Sequence, residues 1–240
     1  MSSIDATSAH GAPHAQHSQD AHHSPGLEHH FESYEQQRET ASLGMWLFIA
    51  QEMLFFGGLF TAYIVFRHQF PDAFAAASHH LDITLGCFNT VVLIASSLTM
   101  ALAVRAAQLG ASKVCGWFLI ATMVLGGVFL GVKAIEYHEK YVEHHIPGVT
   151  EFHWDEAFHG KQIPSNQARM FYGLYFAMTG LHALHMIIGI GILLWLLYWV
   201  RKGRFTSDNY NYIEGVGLYW HFVDIIWIFL FPLLYLIGRH

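Results

Sequence analysis

A glutamate, Glu52, stands inside the apolar run WLFIAQEMLFFGG. At the centre of a membrane helix a carboxylate costs about 2.5–3.5 kcal/mol on insertion scales, so it must be protonated, paired or turned toward other helices. Such an acid can handle protons or react with carbodiimide-type reagents, which need a protonated carboxyl in an apolar site. It can equally serve as an interhelical hydrogen bond that sets packing. His182 and His185 in GLHALHMIIG share one helical face, with Met178 and Gly189 in line. A metal site in a bundle draws about four ligands from several helices. The remaining candidates are Glu52, His221, Asp224 and Glu136, and no Glu-x-x-His pair repeats on a second segment. Structural hydrogen bonding between helices is therefore the expected role of both histidines.

His221 and Asp224, in YWHFVDIIWIFLFP, are again three apart. An imidazole donating to the carboxylate, or to a neighbouring helix, would lower the cost of burying both; a proton relay is the alternative. Glu214 opens the same segment, where an acid complements the helix dipole. Glu136, with Tyr137 and His138, marks the exit of another apolar stretch, where an interfacial hydrogen-bonding role is expected.

The elements that must position these residues are long and apolar. Five segments, about 41–66, 83–104, 114–135, 170–200 and 213–237, each exceed the roughly 20 residues needed to cross a 30 Å hydrocarbon layer. Helices are the way an open chain can do this, because the backbone must satisfy its own hydrogen bonds in lipid. Barrel strands would show alternation over about ten residues, which is absent. The fold class expected is an all-α, polytopic membrane bundle of five transmembrane helices. Composition agrees: 53% of the residues are hydrophobic and 12% charged, about half the charge of a soluble domain. Trp46, Trp117, Trp195, Trp199, Tyr198, Tyr212, Tyr219 and Trp220 lie towards segment ends, as headgroup-level anchors do. Gly127 and Gly131 form a GxxxG, and Gly57, Gly58, Gly173, Gly180, Gly189 and Gly191 offer further small surfaces for close helix approach. Arg105, Lys113, Arg201, Lys202 and Arg204 fall in two short loops on the N-terminal side, whereas the 67–82 loop has only Arg67. The positive-inside rule then places the N-terminus in the cytoplasm and the C-terminus outside.

Residues 1–38 form a polar tail with His10, His14, His17, His22, His23, His29 and His30 at irregular spacing. This composition cannot bury enough surface to offset its ordering entropy, so the tail is expected to be disordered and residues 39–240 to form the membrane domain. A metal or pH role for the tail is the alternative. The first 40 residues show no short apolar core behind a basic start, so the first helix is expected to act as its own insertion signal. Cys87 and Cys115 lack metal-ligand spacing and read as small buried hydrophobes. A net charge of −6 with no basic, aromatic-interleaved cluster offers nothing to nucleic acid.

The segments together carry a resemblance. SLGMWLFIAQEMLFFGGLFTAY resembles the helix of cytochrome c oxidase subunit III that holds its buried glutamate. FNTVVLIASSLTMALA and LGGVFLGVKAIEYHE resemble the next two helices of that family. GLYFAMTGLHALHMIIGIGILL is similar to its Thr-Gly-x-His-x-x-His helix, and IEGVGLYWHFVDIIWIFLFPLLYL to its Tyr-Trp-His-Phe-Val-Asp helix. The resemblance covers about residues 40–238 and fits the shorter bacterial type with five spans. It implies a non-redox subunit of an aerobic oxidase in the bacterial cytoplasmic (inner) membrane. The chain would bind no cofactor or metal of its own. Haem and copper would belong to its partners, oxidase subunits I and II, with a larger respiratory supercomplex as the further assembly such a subunit can join. Phospholipid bound in a cleft, and sustained proton uptake by the catalytic subunit, follow from the same resemblance. The family's buried glutamate maps to Glu52, and its His and His-x-x-Asp positions map to His182, His185, His221 and Asp224. Seven-span members begin with two further helices that form one wall of that lipid cleft.

The residues agree in a negative way. A catalytic subunit needs several histidines on several helices, and an electron-entry subunit needs paired cysteines in a soluble copper domain. Three other readings stay open: subunit III of a quinol oxidase or the accessory protein of a nitric oxide reductase, a proton-coupled carrier titrating Glu52 and Asp224, and a di-metal enzyme using His182, His185 and His221. Glu52 favours the cytochrome c type over the first, and the lack of repeats or broken helices weighs against a carrier.

Overall fold

The computed structural model describes residues 34–148, 152, 154–155, 157–203 and 211–236. The seven tail histidines and Arg204 lie outside these residues. Each apolar segment is the centre of a helix that runs past it: α1 (Tyr34–Gln69), α3 (Ile83–Gln108), α4 (Ser112–Val142), α5 (Ser165–Arg201) and α6 (Asn211–Phe231), with a short α2 (Pro71–His79) between the first two. The helices outrun the apolar stretches because polar residues at both ends continue the helix through the interfacial layer. α1 already includes residues 34–38, so the helical domain begins inside the stretch expected to be disordered.

Local chemistry explains the ends. Asp82 caps α3 by accepting from the Thr84 amide at 2.7 Å. α3 stops at Gly110, whose φ of +71° lets its amide reach the Ala107 carbonyl at 3.0 Å while the Ala111 amide reaches Ala106 at 2.9 Å. His144 makes the same left-handed stop after α4 with φ +57°. After α6, Pro232 has no amide to give the preceding turn, and the chain continues as a π-helical turn over Pro232–Leu236. The connection between α4 and α5 holds a two-strand hairpin, β1 (Ala157–Phe158) paired antiparallel with β2 (Lys161–Gln162). Its His159-Gly160 turn has positive φ at both residues, the geometry that matches strand twist.

α3 and α4 form an antiparallel hairpin, and α6 packs against α1, α3 and α5. α6 is the central helix: 56% of its most apolar window is buried, against 22% for α1, which stands at the periphery. Leu43, Leu47 and Leu54 on α1 and Trp117 and Val124 on α4 face outward, as lipid-facing or partner-facing residues would.

Two sequence expectations change here. Tyr219 and Trp220 are core residues and not headgroup anchors, because α6 is sheathed by its neighbours at that depth. The close helix approaches use Gly86, Gly126, Gly189 and Gly217, whereas Gly127 and Gly131 are exposed with open space where a Cβ would stand. The Trp220 indole fills the space between α4 and α5. A Cβ at Gly126 would sit 3.0 Å from it, and one at Gly189 only 2.9 Å.

Candidate functional site

Polar groups inside the bundle gather in three places, each built by facing helices. The first joins α1 to α5. Glu52 is buried, and its Oε2 lies 3.3 Å from His185 Nε2, off hydrogen-bond alignment. His185 Nδ1 sits 2.9 Å from the Leu181 carbonyl. A carbonyl only accepts, so Nδ1 carries the proton. Nε2, the ring's other nitrogen, is the one that faces Glu52. Tyr219 of α6 donates to the His185 carbonyl at 2.9 Å, and Phe56 flanks the imidazole, which ties three helices to this contact.

The second place is the face of α3. Its hydroxyls supply partners for α6: Trp220 Nε1 donates to Ser96 at 2.9 Å, Trp227 Nε1 to Thr90 at 3.1 Å, and His221 Nδ1 lies 2.7 Å from Ser97 Oγ. Thr99 meets Thr122 of α4 at 2.8 Å. His221 therefore turns to α3 and not to Asp224. The Asp224 carboxylate is buried with no hydrogen-bond partner among the described residues. Glu214 lies in the first turn of α6, half-buried.

The third place is the most highly connected. Lys133 Nζ lies 2.8 Å from Glu136 Oε2, 2.6 Å from Tyr235 OH and 3.5 Å from Tyr175 OH. Tyr175 donates to Glu136 Oε1 at 2.9 Å, and Tyr235 donates to the same oxygen. Three ammonium donors thus meet three acceptors, and the carboxylate accepts from all three partners. The loop is closed and net neutral, the condition under which a buried polar network is stable. Lys133 also stands 4.7 Å from the Trp227 ring centroid. His182 packs on Trp227, with Phe129 edge-on to both rings. Neither nitrogen of His182 finds a hydrogen bond among the described residues, so it is an aromatic packing residue here and not the interhelical donor expected of it. Glu136 also differs from expectation. α4 continues to Val142, and Glu136 is 2% exposed, enclosed by neighbouring helices.

At the end of α4, Lys140 pairs with Glu143 at 2.6 Å, and Glu143 lies 3.2 Å from His145. His145 stacks on Tyr172, with Trp154 tilted against it and His80 edge-on. Burial pushes the His145 imidazole below its usual range, against the pull of Glu143 and with the help of Lys140. Burial acts upward on Glu143, but the Lys140 hydrogen bond and charge, with His145, outweigh it and hold the carboxyl below the usual range.

His182, His185 and His221 thus go to three different partners. Among the described residues no group of three or more His, Cys, Asp or Glu side chains could hold a metal.

The sequence has a match among known proteins. The family model described as cytochrome c oxidase subunit III matches residues 27–163 and 164–239. The chain belongs to the cytochrome c oxidase subunit III family. Members are accessory subunits of haem–copper respiratory oxidases. Cytochrome c oxidase subunit 3 of Corynebacterium diphtheriae is 34% identical over 199 residues, 82% of this chain and 87% of that protein. The protein of the same name from Alkalihalophilus pseudofirmus is 29% identical and covers 90% of this chain and 95% of its own length. A probable quinol oxidase subunit 3 of Staphylococcus haemolyticus is 29% identical over 82% of this chain and 88% of that protein.

Within this subunit III chain, Lys133 is the residue that sequence reasoning passed over. Its signal was present: a lone lysine in an apolar helix, three residues before Glu136 in GVKAIEYHE, on the same face. The two tyrosines that complete the site come from 42 and 102 residues away, and no local pattern announces them.

Proposed function

We propose that this chain is the non-catalytic third subunit of an aerobic haem–copper terminal oxidase that takes electrons from cytochrome c. It packs against catalytic subunit I alongside subunit II, holds phospholipid, and sustains proton uptake by the catalytic subunit. Haem and copper reside in those partners. The chain lies in a bacterial cytoplasmic membrane with its N-terminus inside and its C-terminus outside. That orientation is supported by Arg105, Lys113, Arg201 and Lys202 at one end of the bundle. The observation that carries the reading is the use made of the intramembrane polar groups. Lys133, Glu136, Tyr175 and Tyr235 saturate one another, Glu52 meets His185, and His221 meets Ser97. Each of these groups joins helices, and none converges into a ligand set among the described residues, which suits a scaffold for neighbouring subunits. Similarity to a quinol oxidase subunit supports a second reading, in which the partners oxidise quinol.

The test is a reduced-minus-oxidised spectrum, with metal analysis, on the complex purified gently through a tag on this chain. Haem and copper that co-purify and stay with the partners when this chain is stripped away support the proposal. Oxidation of reduced cytochrome c, set against oxidation of a quinol, separates the two donor readings. A colourless single-chain preparation, or haem that leaves with this chain, overturns the proposal.

Glu52→Gln keeps the shape of the side chain and removes its charge. Assembly and initial electron transfer are expected within about twofold of wild type, because the residue touches no reacting group. The change should appear in the rate of inactivation during sustained turnover. Immediate loss of all electron transfer would contradict a non-catalytic role.

A further inference from the structure

A crevice of about 420 Å³ opens between the start of α4 and the end of α5, lined by Ser112, Lys113, Gly116, Trp117, Ile120, Val200, Arg201 and Gly203. We infer that this crevice binds the headgroup and upper chain of an anionic phospholipid, with its phosphate between Lys113 and Arg201. Among the described residues both lining charges are cationic, and no carboxylate lines the crevice. Neither cation makes an ion pair or hydrogen bond among the described residues, in contrast to the closed loop around Lys133. α4 begins here with no side-chain cap, so its first-turn amides add positive potential at the same point. The opposing carbonyl end of α5 is already occupied. The Lys202 amide binds the Tyr198 carbonyl at 3.2 Å, the Gly203 amide binds Val200 at 3.0 Å, and Lys202 itself lies over the Tyr198 ring.

Apart from Ser112, the remaining wall is apolar or glycine. Gly116 is buried and leaves room beside it, where a Cβ would meet only Leu197 at 3.7 Å. Trp117, 73% exposed, stands at the rim, where an indole settles at headgroup depth. A phosphate beside two cations with acyl chains leaving along an apolar helix groove is the chemistry of a lipid at the membrane surface. A soluble anion would use the cations but not the apolar wall. The crevice lies between α4 and α5 and does not depend on α1, the helix that would border the lipid cleft of longer relatives. The inference rests on the membrane placement of the chain, and on the proposed oxidase role only through the complex used to test it.

The test uses the full complex in nanodiscs containing phosphatidylglycerol and phosphatidylcholine in equal amounts, with native mass spectrometry of the released chain. Wild type is expected to retain phosphatidylglycerol in preference to phosphatidylcholine. Removing each cation should weaken that preference roughly fivefold, and Lys113→Gln with Arg201→Gln about 25-fold. Lys113→Arg should retain the preference, which separates charge from folding. Equal retention by wild type and the double variant, or no headgroup preference in wild type, overturns the inference. So does displacement of the lipid by millimolar inorganic phosphate, which would mark a site for the free anion. Because the readout is bound lipid, it remains interpretable whichever electron donor the complex uses.

Discussion

Glu136→Leu is expected to destabilise the bundle by about 3–5 kcal/mol, the cost of leaving one partner of a buried ion pair uncompensated. Lys133 is 4% exposed, and without Glu136 its ammonium keeps only two phenol oxygens and the Trp227 ring. The two phenols also lose their acceptor, since Tyr175 and Tyr235 both donate to Glu136 Oε1. Lys133→Leu should cost a similar amount from the other side of the pair. The double variant is expected to recover much of the loss, because well-packed apolar side chains often replace a buried pair at little cost. The coupling between the two positions, the double variant's cost less the sum of the singles, should then be at least about 4 kcal/mol in magnitude. Denaturant titration of the detergent-solubilised complex, following retention of this chain, measures all three variants. If the double variant is as unstable as the sum of the singles, the closed loop is not what holds α4, α5 and the end of α6 together.

Trp220→Ala carries the second large effect. The indole is fully buried between Gly126 and Gly189, and its Nε1 satisfies Ser96. Within a bilayer the transfer of apolar surface out of water contributes little to helix association, since lipid chains are themselves apolar. The cost is therefore the cavity left behind. At about 24 cal/mol per Å³, a void on the order of 100–140 Å³ costs about 3 kcal/mol if the helices do not close in. Trp220→Phe fills much of that space but leaves Ser96 without its donor, and should cost roughly half as much. The complementary change, Gly189→Ala, places a methyl 2.9 Å from the indole and should cost about 1–3 kcal/mol by overpacking. Loss of this chain from the complex on heating is the readout. A Trp220→Ala variant as heat-stable as wild type would mean that α4 and α5 collapse into the vacated space.

The elements were legible in the sequence because their cause is local. A run of more than 20 apolar residues in lipid has to be a helix, whichever neighbours it meets. Asp82 before Ile83 and Gly110 after Gln108 mark helix ends in the same local way. The intramembrane acids and histidines were also visible as residues that need partners. Which partners they found was not. His221 and Asp224 share a helical face by spacing, yet the ring turns to Ser97 on α3, 124 residues away. Glu136 stands at the end of the apolar stretch of α4, and its burial comes from the packing of α4 against α5 and from Tyr175 and Tyr235, which no local pattern shows.

The glycines show the same division. Spacing drew attention to Gly127 and Gly131, but the fold turns that face outward and uses Gly126, one residue earlier, against Trp220. One residue is 100° around a helix, so the rotation of each helix about its axis decides which small residue becomes an interface. Helix number, approximate length and the presence of buried polar groups follow from the sequence by itself, because hydropathy and backbone hydrogen bonding act within a segment. The rotation and order of the helices, and with them the Lys133 loop and the Glu52–His185 contact, were decided only by tertiary packing. Close fit and hydrogen-bond satisfaction between segments are properties of pairs, not of any one stretch of chain.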